Sequence, residues 1–388
     1  MKKKLIFASE ALWVGGIETA LVNLLNRLDY DKYDVTCLIV RDYQEMASRI
    51  TPNCRLLIAD RQHTVTFKES YKYSRLFNLM EEPQNASSAR RLIWKALCLF
   101  LKAPEMRMYS KYIRKQLAGE HFDTCIIYSD RTAELAVRGI DADKYLMFYH
   151  HGSMKREYHD SYGYKKSEQI IAVSQGVANN LKKEFPQFRD KIIVIHNLTD
   201  IEGIREKAKE VHDDLFPEAG FNIVSCGRLH HVKGYDLAIQ ACDILLKRGY
   251  DQIHWYIVGG GPEEANLRQQ IKELHLEEHV HLYGMKSNPY PYIKAGDLFV
   301  QPSRVEAYGL TIIEALALGV PVVATNTAGA TEIADILPNV ALCNADAIEI
   351  AQLMEQHINN TVTIDNRHVC QSLKKVNENT LKALNGLL

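Results

Sequence analysis

Short runs of β-branched and other apolar residues recur along the chain, separated by longer stretches whose apolar positions repeat at helical spacing. In the first half they fall at Leu5–Ser9, Val35–Val40, Arg55–Ala59, Thr124–Tyr128, Tyr145–Tyr149, Gln169–Val173 and Ile192–Ile195. In the second half they fall at Asn222–Cys226, His254–Val258, Val280–Tyr283, Leu298–Gln301 and Val320–Ala324. Strands of a parallel sheet are covered on both faces and read as near-continuous apolar runs, whereas sandwich strands alternate; the pattern therefore predicts an α/β chain with two Rossmann-like, doubly wound parallel sheets. The join is expected at residues 197–202, where the strand ending at His196 gives way to a polar turn and a charged helix. Domains of residues 1–199 and 200–370 follow, with a terminal helix over about 371–388 packing back on the first. Ligands of such sheets bind beyond the carboxyl ends of the strands, so two facing sheets predict a central cleft with its chemistry in the loops after strands.

Length agrees with this division, since 388 residues exceed one ordinary core and suit two domains of roughly 150–200 residues. The hydrophobic share of 46% and charged share of 24% are those of folded proteins, and no low-complexity tract interrupts them. Eight dispersed cysteines form no CxxC pair and several lie in apolar runs, as reduced core residues do. Lys2–Lys4 followed by Leu5–Ala8 imitates the start of a secretion signal, but Glu10 interrupts it. A first strand is expected instead, and with no apolar run long enough to span a bilayer the chain reads as cytoplasmic.

Charge changes the picture more than composition does. The net value of −1 conceals +7 over residues 1–200 and −8 over residues 201–388. Nearly all of the surplus lies in residues 90–117, where Arg90, Arg91, Lys95, Lys102, Arg107, Lys111, Arg114 and Lys115 meet one acid, Glu105. Leu92, Ile93, Trp94, Leu97, Leu99, Phe100 and Leu101 accompany them, and Pro104 kinks or divides the helix. Two readings fit: a peripheral surface for anionic lipid at the inner face of a membrane, or a core helix with a solvated rim. No stacking or groove-reading motif accompanies the charge, so nucleic acid is not an expected partner.

Three glycine-bearing loops follow strands. Gly15 and Gly16 open a helix after the first strand, where backbone amides can approach an anion; a plain tight turn accounts for them equally. Gly227-Arg228 and Lys233-Gly234 bracket the loop after Cys226, and Arg228 and Lys233 place a planar fork and a compact charge where a diphosphate can be gripped. Two solvated surface cations are the alternative. Gly259, Gly260 and Gly261 break another strand, either as turn residues or so that a ligand lies against backbone.

The densest cluster runs from Gln301 to Pro321 and holds Glu306 in a loop after a strand and Glu314 about one turn into the next helix. Helical side chains lean towards the N-terminus, which returns Glu314 to the mouth where Glu306 sits. The amides of Gly309, Leu310 and Thr311 are unpaired at that helix start and suit a phosphate, while carboxylates accept ribose and sugar hydroxyls. A helix-start acid meeting the macrodipole explains Glu314 alone but not Glu306. Asp141-Ala142-Asp143 spells a metal-binding DxD, but it precedes a strand and is expected to be a turn; no other spacing suggests a metal, and neither metal nor cofactor is expected.

Taken together these pieces resemble glycosyltransferase family 4, the glycosyl transferases group 1, retaining enzymes of the GT-B fold. The resemblance covers nearly the whole chain: Gly15-Gly16-Ile17-Glu18, Ala172-Val173-Ser174, His196-Asn197, Gly227-Arg228 with Lys233-Gly234, Glu306 to Glu314, and Ala328-Gly329-Ala330-Thr331-Glu332-Ile333. It implies that Arg228 and Lys233 bind the donor diphosphate, Glu314 the ribose, and Glu306 the transferred sugar, with Gly16 reaching the phosphates from the opposite lobe. Gly15, Gly261, Tyr308, Gly309, Leu310 and Thr311 would complete the donor site, and Met285 and Lys286 lie in the loop that would hold the nucleobase. His151, with His150 as the alternative, corresponds to a histidine facing the donor sugar. Ala307 stands where glycine is commoner and is expected to perturb the loop. The implied activity is metal-independent transfer, with retention, from a nucleotide-sugar, UDP by family frequency, to a glycan or lipid-linked acceptor in cell-surface polysaccharide synthesis. No protein nucleophile is assigned. A GT-B epimerase, a glycan phosphorylase or a non-catalytic nucleotide-sugar-binding module are the alternatives.

Overall fold

The computed structural model describes residues 1–59, 109–152, 161–216, 220–337, 339–360 and 364–388. Two parallel sheets organise them. The first has seven strands in the order β3-β2-β1-β4-β5-β6-β7: β1 (Lys3–Ser9), β2 (Tyr33–Ile39), β3 (Arg55–Ile58), β4 (His121–Ile127), β5 (Asp141–Tyr149), β6 (Gln169–Ala172) and β7 (Ile192–Val194). The second has six in the order β10-β9-β8-β11-β12-β13: β8 (Phe221–Cys226), β9 (Ile253–Val258), β10 (Val280–Gly284), β11 (Leu298–Gln301), β12 (Val322–Thr325) and β13 (Val340–Cys343).

Each sheet reverses its order once, between β1 and β4 and between β8 and β11. Chain leaving neighbouring strands there turns to opposite faces, which opens a crevice at the carboxyl ends. The loops after β8 and β11 carry Arg228, Lys233 and Glu306, so sequence places the candidate chemistry at the switch point of the second sheet.

Apolar runs form the cores as expected. Leu5, Ile6 and Phe7 of β1 are fully buried, and in the second sheet Ile223, Trp255, Leu298 and Val323 meet Ile239, Leu245, Ile350 and Met354 from covering helices. The indole of Trp255 donates to Ser225 Oγ at 3.0 Å, and Ser225 Oγ donates to the Val300 carbonyl at 2.6 Å, so both of these buried polar groups are satisfied. The seven described cysteines are free and six of them are buried.

Contacts divide the described residues into one unit drawn from 1–149, 155–171 and 187–193 and a second drawn from 150–154, 172–186 and 194–388. The helix Asn366–Asn385 groups with the second, where Asn377 exchanges hydrogen bonds with the Thr199 backbone at 3.1 and 2.8 Å.

Three expectations need correction. Asp141 and Asp143 are not in a turn; they begin β5, where His121 of β4 lies across the ladder and meets them at 3.1 and 3.2 Å through its two ring nitrogens. β12 starts at Val322, two residues later than expected, because Pro321 has no N–H for the ladder. β13 was not anticipated: it is a four-residue edge strand, mostly half-buried, with a weak apolar signal. Residues 90–108 of the basic segment lie outside the described residues. Of the remainder, residues 109–116 are helical, with Tyr109, Ile113 and Leu117 buried and Lys111, Arg114 and Lys115 exposed.

Candidate active site

The loops after β8 and β11 are built against each other. Gly234 ends a short turn, His231–Lys233, with φ +68°, and a Cβ there would lie 1.9 Å from the Pro302 carbonyl, so only glycine allows the approach. Arg304 forks onto Asp236 with two bonds of 2.6 Å and donates to the His231 carbonyl at 3.0 Å, while its own N–H reaches the Val232 carbonyl at 2.8 Å. This planar bidentate pair holds the two loops in register.

Within that frame Lys233 Nζ meets Glu306 Oε2 at 2.5 Å. Gln301, buried at the end of β11, donates to Ser303 Oγ at 2.6 Å and lies 3.4 Å from the same Glu306 oxygen; its carbonyl accepts from Thr311 Oγ1 at 3.1 Å. A buried amide thus ties the Glu306 carboxylate to the first turn of the helix Leu310–Ala317. Gly309 caps that helix with φ +85° and no side-chain cap, which leaves the first amides free of intrahelical partners. Arg228 is exposed and has no side-chain partner among the described residues.

Glu314 projects from this helix into a buried position, and loss of solvent pushes its carboxyl up to about 7, opposed by the Tyr290 hydroxyl 3.3 Å from Oε1. Its site therefore holds a carboxyl able to donate as well as accept a hydrogen bond near neutral pH.

The remaining expected residues fall in two places. Gly152 lies against the Glu306 loop: a Cβ there would be 2.7 Å from Val305 Cγ1 and 2.9 Å from the Glu306 carbonyl carbon. His150 and His151 immediately precede Gly152 in the chain, and both are partly exposed. Gly15 and Gly16 belong to the first unit and start the helix Gly16–Leu25; the Glu18 carboxylate folds back on the turn, 2.5 Å from where a Gly15 Cβ would sit.

Gly259 and Gly261 have a packing reason for being glycine. A Cβ would lie 1.9 Å from the Gly227 carbonyl at Gly259 and 2.3 Å from the Leu229 carbonyl at Gly261, so the loop is pressed onto the loop after β8. Met285 is 69% exposed, whereas the Lys286 ammonium pairs with Asp214 at 2.5 Å and lies over the Tyr283 and Tyr292 rings at 5.5 and 5.0 Å. Ala307 is buried, its φ is not positive, and its carbonyl accepts from Ser174 Oγ at 2.7 Å. Sequence reasoning did not single out Gln301, Arg304, Asp236 or Tyr290. Their partners are up to 73 residues distant, and only the presence of Gln301 and Arg304 within the Glu306 cluster signalled them.

The geometry has counterparts among known proteins. The family model for glycosyltransferase family 4 matches residues 14–202, and that for glycosyl transferases group 1 matches residues 206–376. The Campylobacter jejuni N-acetylgalactosamine-N,N'-diacetylbacillosaminyl-diphospho-undecaprenol 4-alpha-N-acetylgalactosaminyltransferase is 34% identical over 171 residues, 44% of this chain and 45% of that protein. The Escherichia coli O-antigen biosynthesis glycosyltransferase WclY is 31% identical over 137 residues, 35% of this chain and 37% of that protein. The chain spans about two-fifths of the length of these curated relatives. Among solved structures, Anabaena HepE in complex with UDP and glucose superposes with a TM-score of 0.70 at 18% identity, covering 99% of both chains, which shows a shared GT-B fold. Matched in both halves by that family's models, the chain belongs to glycosyltransferase family 4, the glycosyl transferases group 1.

Proposed function

We propose that the chain is a retaining glycosyltransferase that moves a sugar from a nucleoside diphosphate, UDP in the first instance, onto a glycan or lipid-linked glycan during cell-surface polysaccharide synthesis. The observation that carries this reading is the Lys233–Glu306 pair at the switch point of the second sheet, beside the uncapped start of the Leu310–Ala317 helix. The names of the relatives point the same way, one acting on a diphospho-undecaprenol acceptor and one in O-antigen synthesis, and HepE is described with UDP and glucose.

On this reading each group has a role set by its chemistry. Negative charge grows on the departing diphosphate, and Lys233, Arg228 and the first amides of the helix are fixed dipoles and cations that stabilise it without a metal. Glu306 accepts hydroxyls of the sugar and Glu314 those of the ribose, the latter also donating when protonated. His151 would hydrogen-bond near the sugar. Met285 and Lys286 flank the nucleobase, and because Lys286 is engaged with Asp214, backbone at Met285 is the better contact.

The acceptor side is proposed to be a peripheral, cytoplasmic membrane surface met by the basic segment, of which the exposed Lys111, Arg114 and Lys115 form part. Among the described residues no helix is long and apolar enough to cross a membrane. Flotation with vesicles rich in phosphatidylglycerol tests this, and no binding would remove it.

The deciding experiment is nucleotide release from a panel of UDP- and GDP-sugars, with Glu306→Ala and Lys233→Ala as controls. Release from one donor that both variants lose supports the transferase reading and names the sugar. Donor binding without turnover, even with candidate acceptors, would show a binding module instead.

A further inference from the structure

Three motifs converge behind the Glu306 loop, and the one bearing Glu332 is more than a hundred residues from the two bearing Gln175 and His196. Glu332, on the helix Ala328–Ile336, meets His196 Nε2 through Oε1 at 2.6 Å and accepts the Gln175 N–H through Oε2 at 2.5 Å. Gln175 is the first residue of the helix Gln175–Glu184, so the carboxylate answers an amide that has no partner inside its own helix. The His196 ring stacks on Tyr308 with centroids 5.6 Å apart and planes at 24°. With side-chain exposures of 24% and 17%, the His196–Glu332 pair is largely shielded from water.

The same elements grip the loop backbone. Gly329 donates its N–H to the Glu306 carbonyl at 3.2 Å, and a Cβ at Gly329 would lie 2.4–2.5 Å from Tyr308 backbone atoms. Ser174 Oγ holds the next carbonyl, that of Ala307. One end of the loop is thus fixed by Arg304 and Gln301, and the other by His196, Glu332 and Ser174 acting on residues 306–308, immediately before Gly309 turns the chain into the amide-bearing helix.

We propose that His196 and Glu332 are a positioning pair: they set the loop through Tyr308, and so decide where the Glu306 carboxylate and the helix amides face the donor, without touching it themselves. The inference rests on the donor-site reading given above. The pair has two donors, His196 Nε2–H and Gln175 N–H, facing two carboxylate oxygens. Glu332→Ala removes both acceptors, and His196→Phe keeps a ring against Tyr308 but removes the N–H.

The test is calorimetric UDP binding and donor turnover in the full chain for wild type, Glu332→Ala, His196→Phe and the double variant, with circular dichroism to confirm folding. Expected is at least a tenfold weakening of UDP binding and a matching rise in donor KM in each single variant, with kcat changed several-fold less. The double variant should be little worse than Glu332→Ala alone, because the contact that His196→Phe breaks is already lost in Glu332→Ala. Glu332→Gln is the substitute should Glu332→Ala not fold; an amide whose NH₂ donates to a His196 Nε2 that has released its proton restores the contact, and recovery of most of the affinity is expected. Folded variants that bind UDP within twofold of wild type, or whose effects simply add, overturn the inference. Wild type that binds no nucleotide overturns the donor-site reading itself.

Discussion

Glu314 offers the most direct check of the site's electrostatics. Burial raises its carboxyl from 4.5 to about 7, and at about 1.4 kcal/mol per tenfold change in proton affinity this corresponds to about 3 kcal/mol. The folded chain keeps a proton that the unfolded chain has released, so this stabilisation is full below the unfolded value of 4.5 and is lost as pH rises through about 7. Glu314→Gln retains the shape and cannot ionise. Between pH 5 and pH 8 the wild type should therefore lose about 2–3 kcal/mol relative to the variant, after allowing for unfolded chains still partly protonated at pH 5. Urea unfolding followed by tryptophan fluorescence reads the second unit through Trp255, which is fully buried there, and signals common to both chains cancel in the difference. Parallel pH profiles for the two chains would mean that Glu314 ionises normally and that burial does not govern it.

Other expectations follow from single contacts. Gly234→Ala must satisfy φ +68° and a Cβ 1.9 Å from the Pro302 carbonyl; a loss of about 3 kcal/mol is expected, and an unchanged melting temperature would refute the close approach. Gly261→Ala, 2.3 Å from the Leu229 carbonyl, should cost about 1–3 kcal/mol by the same measurement. Arg304→Lys loses the fork onto Asp236 and should destabilise by about 1 kcal/mol in urea unfolding, with weaker nucleotide binding because the two loops lose register. Lys233→Met should lower nucleotide release roughly 10²–10³-fold, the scale for removing one transition-state charge contact; release at the wild-type rate would exclude Lys233 from the chemistry.

Much of the architecture was legible because parallel strands are buried on both faces: Leu5–Ser9 and His254–Val258 announce themselves as unbroken apolar runs. β13 did not, being short, at an edge and half-exposed. Asp141 and Asp143 looked like a turn because they precede the apolar run Tyr145–Tyr149; the structure supplies His121 across the ladder, a partner no local pattern shows. Lys233, Glu306 and Glu314 were legible because glycine and charge cluster at strand ends, and the structure brings them to one switch point. The scaffold behind them was not. Arg304 needs Asp236, Tyr308 needs His196, and Gly261 needs the Leu229 carbonyl, and each pairing depends on tertiary approach rather than on spacing.

The contact between Lys233 and Glu306 also bears on what the site admits. The ammonium is not bare: a tethered carboxylate already occupies it. Recognition on the proposed reading is then an exchange, in which an incoming diphosphate displaces an anion held nearby at high effective concentration. A simple monovalent anion has to compete with that tethered carboxylate to reach the ammonium. A displaced Glu306 also needs a new partner, which the hydroxyls of an attached sugar provide and a spent nucleoside diphosphate does not. On that reading the sugar hydroxyls, by re-engaging Glu306, offset the stronger pull of Lys233 on the more highly charged free diphosphate.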